Sequence, residues 1–225
     1  MKALFCVGMM CAVFTAPAVD KAELDTRIGK LTAKMDALQA QPDKRVSAEN
    51  LRKAQGIILL DRTKAGFIFA FQGGNGLLMA RDPNSGQWGP PGFLKANEAS
   101  LGLQIGGQQS FVVILLMTTN AVQMAGQGTF NFGGEASGTA GDSSGGVQGS
   151  FSSSEPPVLT YTDTAGLYGG VAIKGGALSP DNDANIAYYG TYLTFKEIVL
   201  DNRDNKLKPS QAALDLVKRL NDWAK

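Results

Sequence analysis

Histidine is absent from this 225-residue chain, and both of its cysteines, Cys6 and Cys11, stand near the N-terminus. Once a leader containing them is removed, the chain has no thiolate, no imidazole and no disulfide to offer. That excludes nucleophilic hydrolysis of the histidine-assisted kind, and Cys/His metal sites with it. An excess of one charge sign is missing too, with 21 Lys+Arg against 20 Asp+Glu. So balanced a chain lacks the electrostatic footprint of a nucleic-acid binder, and no nucleic-acid partner is expected. Long apolar runs are also lacking. The longest, at 3–14, falls short of the roughly 20 residues that cross a bilayer.

What is there begins with that short run. Lys2, the apolar stretch and Ala16-Pro17-Ala18, small at −3 and −1, read as a secretory signal over 1–18, cleaved between Ala18 and Val19. A membrane anchor is the first alternative, but charges begin at once with Asp20 and Lys21. A lipoprotein acylated at Cys11 is the second, with Gly8-Met9-Met10 a poor lead-in. The signal implies an exported protein, peripheral to a membrane, in the periplasm or at the cell surface. Without Lys2 the balance is 20 against 20. The remaining length suffices for one sizeable core.

Residues 19–45 are expected to carry an amphipathic helix over 20–40. Leu24, Ile28, Leu31, Met35 and Leu38 alternate spacings of four and three and form one stripe. Lys21, Arg27, Lys30 and Lys34 lie off it, among Glu23, Asp25 and Asp36. Such a helix docks on the body, pairs in a short coiled coil, or lies on a lipid surface. A second helix is expected from an N-cap at Ser47 to Gln55. Then the pattern turns to strands, at 57–60, 67–71, 77–81, 100–105 and 111–117, the last apolar throughout and so covered on both faces. Asp82-Pro83-Asn84-Ser85-Gly86 is turn chemistry joining two antiparallel strands. Gly73-Gly74-Asn75-Gly76 lacks the Lys-Ser/Thr of a phosphate loop and reads as a tight turn between strands.

Further on, 119–124 predicts a short helix capped by Thr119 or Asn120. A Gly/Ser-rich stretch follows at 126–154, with strand-like alternation in 129–132 and a linker-like tip at 141–146. Strands are expected at 158–162 and 167–173. A helix should follow Asp181 or Asn182 up to Gly190, and Thr194 with Glu197 resembles a capping box. The last helix starts near Pro209-Ser210, with Ala213, Leu214, Val217, Leu220 and Trp223 on the side that packs on the sheet.

Several stretches resemble the SYLF domain, a family of lipid-binding modules. They are Gln55-Gly56, Lys64-Ala65-Gly66-Phe67, Gly74-Asn75-Gly76 and Ala80-Arg81, then Trp88 with Pro90-Pro91, then 102–106 through 111–115 to Ala121-Val122. Ala165-Gly166-Leu167-Tyr168-Gly169-Gly170-Val171 and Tyr188-Tyr189-Gly190 complete the set. The similarity spans about Val46 to Leu220, which gives a SYLF-like domain over 46–225. The chain departs from the pattern at Gln109-Ser110, where the family often has Thr-Asp, and at Gln72-Gly73, where eukaryotic members often have a basic residue.

The expected fold is α+β, a glycine-rich, strongly curved, mostly antiparallel β-sheet or partial barrel with N- and C-terminal helices. The resemblance implies a lipid- or membrane-binding module without catalysis or cofactor, set in the envelope of an exporting bacterium. Lys64 is either an edge lysine or a headgroup contact. Lys44, Arg45, Arg52 and Lys53 extend a basic region around the second helix. Phe67, Phe69 and Phe71 share one strand face, as core or as the lining of an acyl-chain groove. The candidate lipid contacts are therefore Lys21, Arg27, Lys30, Lys34, Lys44, Arg45, Arg52, Lys53, Lys64, Phe67, Phe69 and Phe71. Asp181 with Asp183, and Asp201 with Asp204, are paired acids in turn-like sequence, where caps and solvated loops are the ordinary roles; too few ligands follow for calcium. The alternative function is a structural or protein-interaction role in the envelope, in which the Leu24–Leu38 stripe binds a partner or a second copy.

Overall fold

A computed structural model describes residues 19–66, 69–101, 106–127, 130–132, 158–164, 176–201 and 207–225. The signal at 1–18, the strand expected at 167–173 and the tip at 141–146 lie outside them. The central element is β1 (Gly56–Gly66), flanked by β2 (Phe69–Ala80) and β4 (Gly106–Leu116). β3 (Gly92–Leu101) pairs with β2, β6 (Val158–Thr164) with β4, and β7 (Gly176–Pro180) joins β3 to the edge strand β5 (Phe130–Phe132). The order is β5-β7-β3-β2-β1-β4-β6, with every pairing antiparallel. The sheet is open among the described residues. The α+β class and the antiparallel sheet with helices at both ends of the chain hold as expected.

Both faces of the sheet are covered, which explains why its strands read as apolar runs instead of alternating. Ile57, Leu59, Leu77, Met79, Phe93, Val113 and Leu115 point to one face, Ile58, Leu60, Leu78, Leu94, Val112 and Ile114 to the other. On the first lie α1 (Lys21–Gln39), α2 (Ala48–Lys53), α4 (Asn182–Tyr189) and α6 (Gln211–Trp223). On the second lie α3 (Thr119–Gly126) and α5 (Phe195–Val199).

Capping sets the helix starts. Asp20 accepts from the Glu23 amide at 2.8 Å and opens α1, and Ser47 accepts from Asn50 at 3.1 Å and opens α2. α2 stops at Lys53, earlier than expected, because Gln55 already donates its amide to Leu116 of β4. Thr118, not Thr119 or Asn120, caps α3. Thr194 and Glu197 form the expected reciprocal capping box on α5.

All of the α1 stripe, Leu24, Ile28, Leu31, Met35 and Leu38, is buried in the core of its own chain. While α1 is docked, neither bilayer insertion nor a partner helix has an apolar face of α1 to use. α6 packs mainly on α1 and secondarily on α2, so its inner face departs from the expected one. Leu216 is buried with Ala213 and Leu220, whereas Leu214 points outward, 47% exposed. Arg219 and Trp223 both donate to Asp36, tying α6 to α1.

The Gly73–Gly76 stretch is not a turn. It runs through the middle of β2, where Gly74 faces Arg62 and Ala96 and Gly76 faces Leu60 and Leu94. The glycine at 76 answers a close approach, since a Cβ there would stand 2.5 Å from the Leu59 carbonyl oxygen. The turn at 82–86 does join two antiparallel strands, β2 and β3. β3 begins at Gly92, well ahead of the strand expected at 100–105, whose residues 102–105 lie outside the described ones, and β7 is a strand beyond those expected; both mix polar and small residues with few β-formers.

Candidate functional site

Backbone register places Asp163, Phe111, Asp61, Asn75, Lys95 and Ser179 in one row across β6, β4, β1, β2, β3 and β7. Because strand side chains alternate, Asp61, Asn75 and Lys95 share the α1 face with Leu59, Leu77 and Phe93. Here the apolar core beneath α1 ends and a polar margin begins.

Cations meet that row from above. Lys44 reaches Asp163 at 3.5 Å and Lys34 reaches Asp61 at 2.6 Å. Arg27 lies 3.5 Å from Asp181, the N-cap of α4, and 3.9 Å from Glu23. The more exposed pairs, Lys34–Asp61 and Lys44–Asp163, contribute only about 0–1 kcal/mol each, so they orient α1 more than they hold it. Between the Arg27 and Lys34 contacts opens a cleft of about 540 Å³, with Lys30 on its helix wall, Lys95 on its sheet wall, and Gly73, Gly74 and Asn75 as its floor. Among the described residues neither Lys30 nor Lys95 has an acidic partner. Two buried polar atoms at the cleft, Arg27 Nη1 and Asp61 Oδ1, lack hydrogen-bond partners.

Leu31 is the one aliphatic side chain of the cleft, and its other lining side chains are polar or charged. Among the described residues no group of three or more side chains is set to hold a metal, and no helix is long and apolar enough to cross a membrane.

The other expected contacts scatter. Lys21 stands 5.3 Å from the Tyr188 ring centroid. Arg45 is exposed. Arg52 donates to the Ala224 carbonyl at 2.8 Å, closing the C-terminal end of α6, where a cation suits the helix dipole. Lys53 pairs with Glu49 at 3.0 Å and draws that carboxyl below its ordinary pKa through a hydrogen bond and charge. Lys64 sits in β1 opposite Gln72 and Gln108. Its side chain, those of Phe69 and Phe71, and all of Phe67 lie outside the described residues. Asp61, Asn75, Lys95 and Asp181 complete the cleft; Lys95 would have been found only by recognising β3 and its register.

The shared motifs form structural joints. Arg81 donates to the carbonyls of Ala54 at 3.0 Å, Gly86 at 2.8 Å and Leu51 at 3.4 Å, and its guanidinium stacks 4.0 Å from the Trp88 ring. Tyr189 donates to the Pro91 carbonyl at 2.6 Å, and Tyr188 to Ser210, the N-cap of α6, at 2.8 Å. A second cavity of about 380 Å³ lies beside Arg81, between the β2–β3 turn, α3 and α5. Its charged groups are already engaged, Arg81 as above and Lys196 with Asp201 at 3.1 Å.

Comparison with known proteins agrees with these motifs. The family model Ysc84, described as Las17-binding protein actin regulator, matches residues 97–223. SH3 domain-containing YSC84-like protein 1 of Rattus norvegicus is 30% identical over 184 residues, covering 81% of this chain and 53% of its own. The Homo sapiens protein of that name is 32% identical over 150 residues, 66% of this chain and 44% of its own. LAS seventeen-binding protein 3 of Saccharomyces cerevisiae is 28% identical over 186 residues, 81% and 39% respectively. The chain thus spans about half the length, or less, of these curated relatives. No solved structure matches it. The chain belongs to the Ysc84 family, whose domain is also called SYLF.

Proposed function

We propose that this chain is a non-catalytic module that binds anionic membrane surfaces, exported and working peripherally at the envelope. One observation carries the reading. The line Lys44, Lys34, Lys30, Lys95 and Arg27 crosses the α1 side of the sheet, and two of its cations stand without acids among the described residues. With the α1 stripe buried, contact is made at the level of headgroups and not by insertion. Each lysine near an anionic surface adds about 1 kcal/mol, and those already paired add less.

Vesicle flotation of the chain from Val19 onward tests this. Retention on phosphatidylglycerol-containing vesicles and loss from pure phosphatidylcholine is the expected result. Equal absence from both would end the reading. A protein-binding role is the second possibility, favoured by the printed descriptions of the family and its yeast relative. Co-sedimentation with actin filaments, with vesicle binding absent, would favour it.

A further inference from the structure

We infer that the cleft between the Arg27–Asp181 and Lys34–Asp61 pairs is a binding site for one phosphate group, held between Lys30 and Lys95 over the floor of Gly73 and Gly74. The inference deepens the membrane reading and rests on it only for the source of the phosphate. The same group could come from a lipid headgroup or from a soluble phosphate ester.

Three cations, Arg27, Lys30 and Lys95, line the cleft against the carboxylates of Glu23, Asp61 and Asp181, and Lys34 neutralises Asp61 from outside it. Pairing removes Arg27 from the count and leaves the two lysines facing one space from opposite walls. Arg27 Nη1 at the rim is already turned to Asp181, 3.5 Å away. Asn75 keeps the floor uncharged where its row neighbours carry charge: in register it stands between Asp61 and Lys95. A volume of about 540 Å³ falls within the range of small-ligand sites, larger than bare phosphate and sized for a phosphate with its substituent.

Amide NMR of residues 19–225, titrated with inorganic phosphate and with glycerol phosphate against sodium chloride at matched ionic strength, tests it. Saturable shifts at Gly73, Gly74 and Asn75 are expected, unlike those from chloride. Lys30→Ala and Lys95→Ala should each weaken the phosphate effect about fivefold. Asn75→Asp keeps the shape and both lysines, and should abolish the effect with the thermal midpoint little changed. It covers the case in which Lys95→Ala fails to fold. Shifts that match chloride, or that survive Asn75→Asp in folded protein, overturn the site.

Flotation on phosphatidylglycerol vesicles runs beside it. Vesicle binding without saturable phosphate shifts overturns the cleft and leaves the membrane reading intact. Phosphate shifts without vesicle binding support the cleft, assign it to a soluble ester and end the membrane reading. Loss of both in Asn75→Asp supports a headgroup source.

Discussion

Gly92 and Gly29 show how differently one residue type can be employed. A Cβ on Gly92 would stand 2.5 Å from Phe195 Cε2 and 2.6 Å from Val199 Cγ1, because α5 rests directly on that backbone. Gly92→Ala is expected to cost about 1–3 kcal/mol by overpacking, read as a lower midpoint in urea. Gly29 lies within α1 with nothing inside 4 Å of its absent Cβ. Gly29→Ala should therefore stabilise by about 0.5–1 kcal/mol through helix propensity. Buried Tyr188 and partly buried Tyr189 set an alkaline limit. Desolvation raises both pKa values above the ordinary tyrosine value, against the Ser210 hydrogen bonds at Tyr188 and with added repulsion between the two rings at Tyr189. Acids whose folded pKa is raised contribute stability that is whole below the unfolded value, about 10, and is lost as pH rises toward the folded one. Circular-dichroism melts should hold their midpoint up to about pH 10 and fall beyond it, with phenolate absorbance appearing together with unfolding.

Among the elements, α1 carries the heaviest packing role outside the sheet. Met35 and Ile28 are fully buried, between the sheet and α6. Met35→Ala or Ile28→Ala should each cost about 2–5 kcal/mol, measured by urea denaturation. Deleting 20–40 should unfold the domain, visible as loss of near-ultraviolet dichroism. A well-folded truncated chain would show α1 to be an appendage after all. Asn185 explains how α4 is held to the sheet. Its side chain accepts the Phe93 amide at 2.8 Å and donates to the Phe93 carbonyl at 3.1 Å, standing in for a strand neighbour at the start of β3. Nothing in the sequence around 185 marks it, since an asparagine in a helix pattern more often reads as a surface residue.

Among the described residues, polarity changes along the strands. The half nearest Gly56 is apolar on both faces and covered by helices, and the polar row from Asp163 to Ser179 marks where α1's cover ends. Binding that depends on such a margin must be sensitive to salt, because the screening length shrinks to about 8 Å at physiological ionic strength. Vesicle retention should fall steeply between 0.05 and 0.5 M sodium chloride, roughly, while the thermal midpoint barely moves. Apolar insertion would give a flat response instead. Local chemistry made much of this architecture legible. The α1 stripe, the caps at Ser47 and Thr194, the helix ending at Gly190, and the two-sided run in β4 all stand as read. Long-range choices were not legible. Ala213 and Leu220 fit a helix face completed by either Leu214 or Leu216, and only the position of α1 selects Leu216.

By itself, the order of residues determined the α1 stripe, the capping box of α5 and the family, since each depends on neighbours a few positions apart or on motif chemistry. It also excluded histidine and cysteine chemistry from residues 19–225. Tertiary structure alone decided that Gly73–Gly76 is strand and not turn, that Asp61, Asn75 and Lys95 stand side by side, and which cations keep acids. Those facts arise from register between strands distant in sequence, where hydrogen bonding fixes the alignment and no local propensity records it.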